Sequence, residues 1–66
     1  MQLPQARREL EKLHPGMSWT IIPLAAKEIG IQWDVTKEIL EAEFDRLKNF
    51  LADEQNRIRL TKQSER

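Results

Sequence analysis

Hydrophobic positions fall into three runs of helical period. In the first, Leu3, Ala6, Leu10, Leu13 and Met17 follow one another in steps of three and four. That spacing predicts a helix over residues 4–13 with one narrow apolar face. Arg7, Arg8, Glu9, Glu11 and Lys12 take the other side. Pro4 suits the first helical position, where its missing N–H would be unpaired anyway. His14-Pro15-Gly16 ends the element, because Pro disfavours α geometry in the residue before it. Pro-Gly also fits the two central positions of a type II turn.

The second run, about 20–29, holds Ile21, Ile22, Leu24, Ala25, Ala26 and Ile29, with Lys27 and Glu28 its only charges. A helix apolar nearly all round belongs at the centre of a fold. Ser18 or Thr20 is placed to cap it, and Pro23, tolerated only in a first turn, favours Thr20. Gly30 is placed as the left-handed residue that closes it.

The third run is the longest. Between Asp34 and Leu60 there is no Pro and no Gly, and Val35, Ile39, Leu40, Phe44, Leu47, Leu51 and Ile58 recur at helical spacing. One unbroken helix of this span would be roughly 40 Å long at 1.5 Å per residue. Asp34 is one candidate cap; Thr36, with Val35 and Leu40 as a hydrophobic staple, is the other. Arg57-Ile58-Arg59-Leu60 also alternates with period two, which allows a short terminal strand.

The pattern therefore predicts an all-α fold: a small three-helix domain over 1–60, two short helices packed on a long C-terminal amphipathic helix. Residues 61–66 are expected as a flexible polar tail. The expected core is Leu10, Leu13, Ile22, Ala25, Ala26, Ile29, Val35, Ile39, Leu40 and Leu47, bordered by Trp19 and Phe44. The rest of the stripe, Leu47, Phe50, Leu51 and Ile58, exceeds what two short helices can cover and is expected to meet a partner.

Size sharpens that expectation. A chain of 66 residues buries only about 60% of its unfolded surface. It has no Cys, so neither disulfides nor a thiolate metal site can staple it, and a reducing compartment fits. Eleven basic and eleven acidic residues cancel, which argues against a general polyanion binder. No apolar run approaches the ~20 residues of a membrane span. Met1–Leu10 lacks the apolar stretch of a secretory signal. A cytoplasmic location is the expectation.

Charge along the third run is graded. Asp34, Glu38, Glu41, Glu43 and Asp45 come early; Arg46, Lys48, Arg57, Arg59, Lys62 and Arg66 come late. Acid first and base last suits a helix dipole. Two such helices laid antiparallel would also set opposite charges face to face, and a two-fold dimer arranges this automatically.

Candidate chemistry is sparse. His14 is the only histidine. It sits in a turn, and no acidic residue placed to orient it lies nearby in sequence. Glu38, Glu41 and Asp45 share a helical face, but carboxylate di-metal bundles use a Glu-x-x-His pairing that is missing here. Gly16 and Gly30 are isolated, so no phosphate loop is present. No catalytic, cofactor-binding or metal-binding residue is assigned. Trp19 and Trp33 flank the apolar second helix; one belongs to the core, and the other is a candidate contact residue.

Ala26-x-x-x-Gly30-Ile31 followed by a helical pattern locally resembles the helix-turn-helix family. The match covers roughly residues 22–41. In that family a small Ala packs between the two helices, Gly makes the turn, and apolar residues on the second helix close the core. Ile39 falls where one is expected; at a second such position stands Thr36, with Val35 one place early. The resemblance implies that Gln32 and Lys37 face DNA, with Arg7, Arg8 and the basic tail on the phosphate backbone. Asp34, Glu38 and Glu41 would lie on the same exposed surface and repel phosphates, which supply much of DNA affinity.

The function expected first is thus a non-enzymatic helical interaction module, an adaptor, inhibitor or assembly factor. It would act through its long C-terminal helix as a homodimer or in a hetero-complex. The contact residues would be Leu47, Phe50, Leu51, Ile58, Trp33 and Trp19. A small helix-turn-helix DNA-binding regulator is the alternative.

Overall fold

The fold is helical in a different partition from the one expected. In a computed structural model that describes residues 1–34 and 38–65, four helices follow one another: α1 (Leu3–Leu13), α2 (Ile21–Glu28), α3 (Glu41–Ala52) and α4 (Glu54–Ser64). The two short helices stand as expected, and the single long one does not form. Among the described residues the third run enters helix at Glu41, and the helix breaks at Asp53.

Each helix end has a local cause. Pro4 sits in the first turn of α1. His14-Pro15-Gly16-Met17 forms the expected turn: Gly16 has φ +85° and the Met17 N–H donates to the His14 carbonyl at 3.0 Å. Gly30 has φ +81°, and Ile31 N–H reaches back to the Ala26 carbonyl at 2.7 Å. That six-residue closure with a left-handed Gly is a Schellman motif. At the start of α2, by contrast, neither candidate cap acts through its side chain. Thr20 is already in αR geometry, and its hydroxyl shares a hydrogen bond of 2.7 Å with Ser18.

The segment before α3 is extended. Ile39 exchanges two hydrogen bonds with Met1, its N–H donating to the Met1 carbonyl at 2.8 Å and its carbonyl accepting from the Met1 ammonium at 2.9 Å. Gln2 and Glu38 form an isolated antiparallel bridge. Side chains alternate in extended backbone, so Ile39 is buried while Glu38 and Leu40 point outward. This corrects the helical reading at the described residues 38–40. Of the two candidate caps, Thr36 lies outside the described residues, as does Val35, and the first described helix after Asp34 starts at Glu41. The true start has Leu40 as its extended cap residue, and the Glu43 carboxylate accepts from the Leu40 N–H at 3.2 Å.

Side chains build the corner at Asp53. Its backbone is extended, with ψ 116°, and its Oδ1 accepts from Gln55 N–H at 2.9 Å. That caps α4 in the manner Asp favours. Asn56 Nδ2 donates to the Phe50 carbonyl at 3.0 Å, and Arg57 Nη1 to the Leu51 carbonyl at 2.6 Å. Two of the last carbonyls of α3, which lose their helical partners at the break, are thereby satisfied.

Folding back lets α4 pack against both α2 and α3. The core is Leu3, Ala6 and Leu10 from α1; Ile21, Ile22, Ala25 and Ala26 from α2; Ile31 and Ile39; Phe44, Leu47 and Leu51 from α3; and Leu60 from α4. Arg46 Nη2 donates to the Ile29 carbonyl at 2.8 Å. Arg59 grips Glu28 with two parallel bonds of 3.0 and 2.8 Å. Both tie the C-terminal end of α2 to its neighbours. The Cα radius of gyration is 10.9 Å, against about 10.8 Å expected for a folded chain of this length. The segment planned as a tail is helical through Ser64. No helix among the described residues is long and apolar enough to cross a membrane.

Candidate functional site

The stripe expected to meet a partner is divided by the corner. Leu47 and Leu51 lie fully inside the core, and Phe50 is half-buried against it. Of the four, only Ile58, at 41% exposure, stays on the surface. The continuous greasy rod is therefore replaced by a core plus one isolated isoleucine. Leu13 and Leu40, expected in the core, are instead 52% and 69% exposed. Leu13 is the last residue of α1 and lies beyond the packed layer. Leu40 faces out because period two replaces period 3.6 there. Ile29 is only half-buried.

Neither tryptophan is fully enclosed: Trp33 packs against the core while remaining half-exposed, and Trp19, expected at the border of the core, is instead 56% exposed. They flank one face of the molecule. The Arg7 guanidinium lies 6.0 Å from the centroid of the Trp19 ring, at the outer range of a cation–π contact. The same Arg7 joins Leu3, Pro4 and Trp33 around a recess of about 160 Å³. On the other side of Trp33 a second, shallower groove is bounded by Pro23, Lys27, Gly30, Ile31 and Gln32. Trp33 is thus a shared wall between two hollows, with a cation on each side. Arg7 also faces Glu11 at 3.7 Å, one helical turn on.

This arrangement follows from local structure. Leu3 and Arg7 stand one turn apart on α1, as Trp19 and Pro23 do around the start of α2. The Schellman closure at Gly30 turns the chain back, so that Ile31 enters the core while Trp33 remains near the start of α1. Sequence reasoning singled out both tryptophans and Arg7. It missed Pro4, Pro23 and Lys27 as neighbours of Trp33, since only the tertiary turn at Gly30 brings them together.

The helix-turn-helix resemblance does not extend to the structure. The first helix and its glycine turn are present, but the described residues 31–34 and 38–40 are not helical. Among the described residues no helix begins between that turn and Glu41. Gln32 and Arg7 line different hollows beside Trp33, Arg8 is exposed on α1, and Lys37 lies outside the described residues. Among the described residues no group of three or more His, Asp or Glu side chains converges as metal ligands would. Glu38 stands in the bridge, apart from the helical face that carries Glu41 and Asp45.

His14 is half-buried at the end of α1. Burial, and then the nearby Arg57 charge, hold its imidazole below its ordinary range. The neutral ring is therefore the form that the fold favours. A group whose folded pKa is depressed contributes stability that is present above its unfolded value, about 6.5 for His, and lost as pH falls through the folded value. The thermal midpoint of the chain is expected to drop between pH 7.5 and 5.5, and His14→Gln to flatten that slope. An unchanged slope in the variant, followed by circular dichroism, would place the titration elsewhere.

No protein-family model, curated protein or solved structure matches this chain. Its surface chemistry is accordingly the guide to its role.

Proposed function

We propose that this chain is a non-enzymatic, cytoplasmic protein-interaction module, an adaptor, inhibitor or assembly factor. Its contact surface is the Trp19–Arg7–Trp33 face rather than the C-terminal helices. One observation carries the reading: two tryptophans, one largely exposed and one walling two hollows, share a face with Arg7 and Lys27. Trp and Arg are the residue types that dominate binding hot spots. Trp19 is 56% exposed, and Trp33, though packed against the core, keeps part of its ring at the surface.

The experiment compares wild-type chain with Trp19→Ser/Arg7→Ser as immobilised bait in extract of the native host. Both side chains are exposed, so the variant is expected to keep its thermal midpoint within a few degrees. The reading expects a stoichiometric protein, a second copy of the chain or another, to be held by the wild type and lost from the variant. Identical retention by both baits would end it.

A further inference from the structure

We propose that the occupant of the Trp33 recess is a second copy of this chain, which inserts Leu40 between Trp33 and Arg7. The inference rests on the reading of the Trp33 face as a contact surface and names its partner.

Leu40 is the most exposed large apolar side chain described, at 69%. It is also firmly held. Its neighbour Ile39 is bonded to Met1 in both directions. Its own N–H donates to Glu43, and its carbonyl accepts from Phe44 N–H at 2.9 Å. A knob fixed in this way loses little conformational freedom on docking. The recess lined by Leu3, Pro4, Arg7 and Trp33, about 160 Å³, matches it: apolar cavities near 150 Å³ hold a group of benzene size.

Charge agrees on both sides. Leu40 is flanked by the exposed carboxylates Glu38 and Glu41. The hollows beside Trp33 are walled by Arg7 and Lys27. Of the carboxylates near that wall in sequence, Glu11 pairs with Arg7 itself in a long, exposed contact of 3.7 Å, and Asp34 is engaged in an interaction of its own, which leaves Lys27 as the less screened cation of the wall. Acidic knob and basic socket therefore attract across the interface and repel a misplaced register.

Topology makes the contact reciprocal. The Gln2–Glu38 bridge places the segment ending in Leu40 beside the start of α1, whose Leu3 and Pro4 line the recess. Knob and socket thus share one edge of the molecule. A two-fold axis at that edge lets each protomer fill the other's recess at once, the self-complementary arrangement of a closed dimer. A standard interface needs about 800 Å² per partner, which is a modest part of the 4678 Å² surface of the chain.

Sedimentation equilibrium and tryptophan fluorescence of the unaltered chain test the proposal. The wild type is expected to approach twice the monomer mass with rising concentration while its tryptophan emission moves to the blue. Leu40→Lys should weaken association by at least about a hundredfold, since two buried leucines are lost per dimer, with its circular dichroism unchanged. Charge reversal gives the sharper arm. Arg7→Glu/Lys27→Glu alone and Glu38→Lys/Glu41→Lys alone should both be monomeric, and their equimolar mixture should dimerise, because each knob then meets a socket of opposite charge. A wild type that stays monomeric at millimolar concentration, a Leu40→Lys chain that still dimerises, or a mixture that does not recover would each overturn it. If the wild type is monomeric yet the bait experiment still shows a protein lost from the Trp19→Ser/Arg7→Ser variant, the dimer fails while the contact surface stands.

Discussion

Leu51→Asp unfolds this chain at neutral pH and 25 °C. Leu51 is wholly enclosed by the core, so the substitution removes a packed aliphatic group and leaves a carboxylate with no partner. Loss of the packing alone is worth about 2–5 kcal/mol, and an unpaired buried polar group adds about 1–3 kcal/mol even when it takes up a proton. A domain of this size has roughly 3–10 kcal/mol in total. The cost consumes most or all of it. Far-UV circular dichroism is expected to show a disordered chain, while Leu51→Met, which keeps the volume, stays helical. Were Leu51 on a docking surface instead, the aspartate variant would keep its helices and lose only association.

That contrast identifies what the hydrophobic pattern did and did not reveal. The first two helices were legible because their ends carry backbone punctuation: Pro4 in a first turn, Pro15-Gly16 in a tight turn, Gly30 with positive φ. The core positions Leu10, Ile22, Ala25, Ala26 and Leu47 followed from periodicity alone. The third run lacks such punctuation. Its first break is a change of period: Ile39 points inward in extended backbone, and its pairing with Met1 is a contact across almost 40 positions that no local window contains. Its second break is made by Asp53, a polar residue that reads as helix surface until its carboxylate is seen capping Gln55. Asn56 and Arg57 seal that corner, yet by composition they are ordinary helix residues.

The same logic explains why the stripe expected to meet a partner is largely covered within the chain. A straight helix of that length would have left its C-terminal apolar residues without cover. Folding back at Asp53 gives them cover within one chain, and the longest dimension of the Cα trace is 27 Å, short of a 40 Å rod. Total exposed area points the same way: 4678 Å² is close to the ~4,400 Å² usual for a folded monomer of this mass. What stays outside is not surplus core but a few side chains fixed by backbone geometry. Leu40 is outward in an extended segment, and Trp19 stands ahead of α2. The tryptophans were legible as candidates. The recess that gives Trp33 its neighbours was not, because α1 and the turn after α2 meet only in three dimensions.

The fold-back has a direct test in two neighbouring positions of α4. Leu60 is enclosed by the core and Ile58 is 41% exposed, though they lie only two residues apart. Leu60→Ala is expected to cost about 2–5 kcal/mol, the range for emptying a buried leucine site. Ile58→Ala gives up only part of its burial and gains helix propensity, so about 1 kcal/mol or less is expected. With a urea dependence near 1 kcal/mol per molar for a chain this small, Leu60→Ala should lower the denaturation midpoint by about 2 M or more and leave Ile58→Ala near the wild type. A continuous helix from the third run would carry Leu60 away from α2, and the two alanine variants would then be equally mild. Matching midpoints for the pair would remove the corner at Asp53 and, with it, the assignment of Leu47 and Leu51 to the interior.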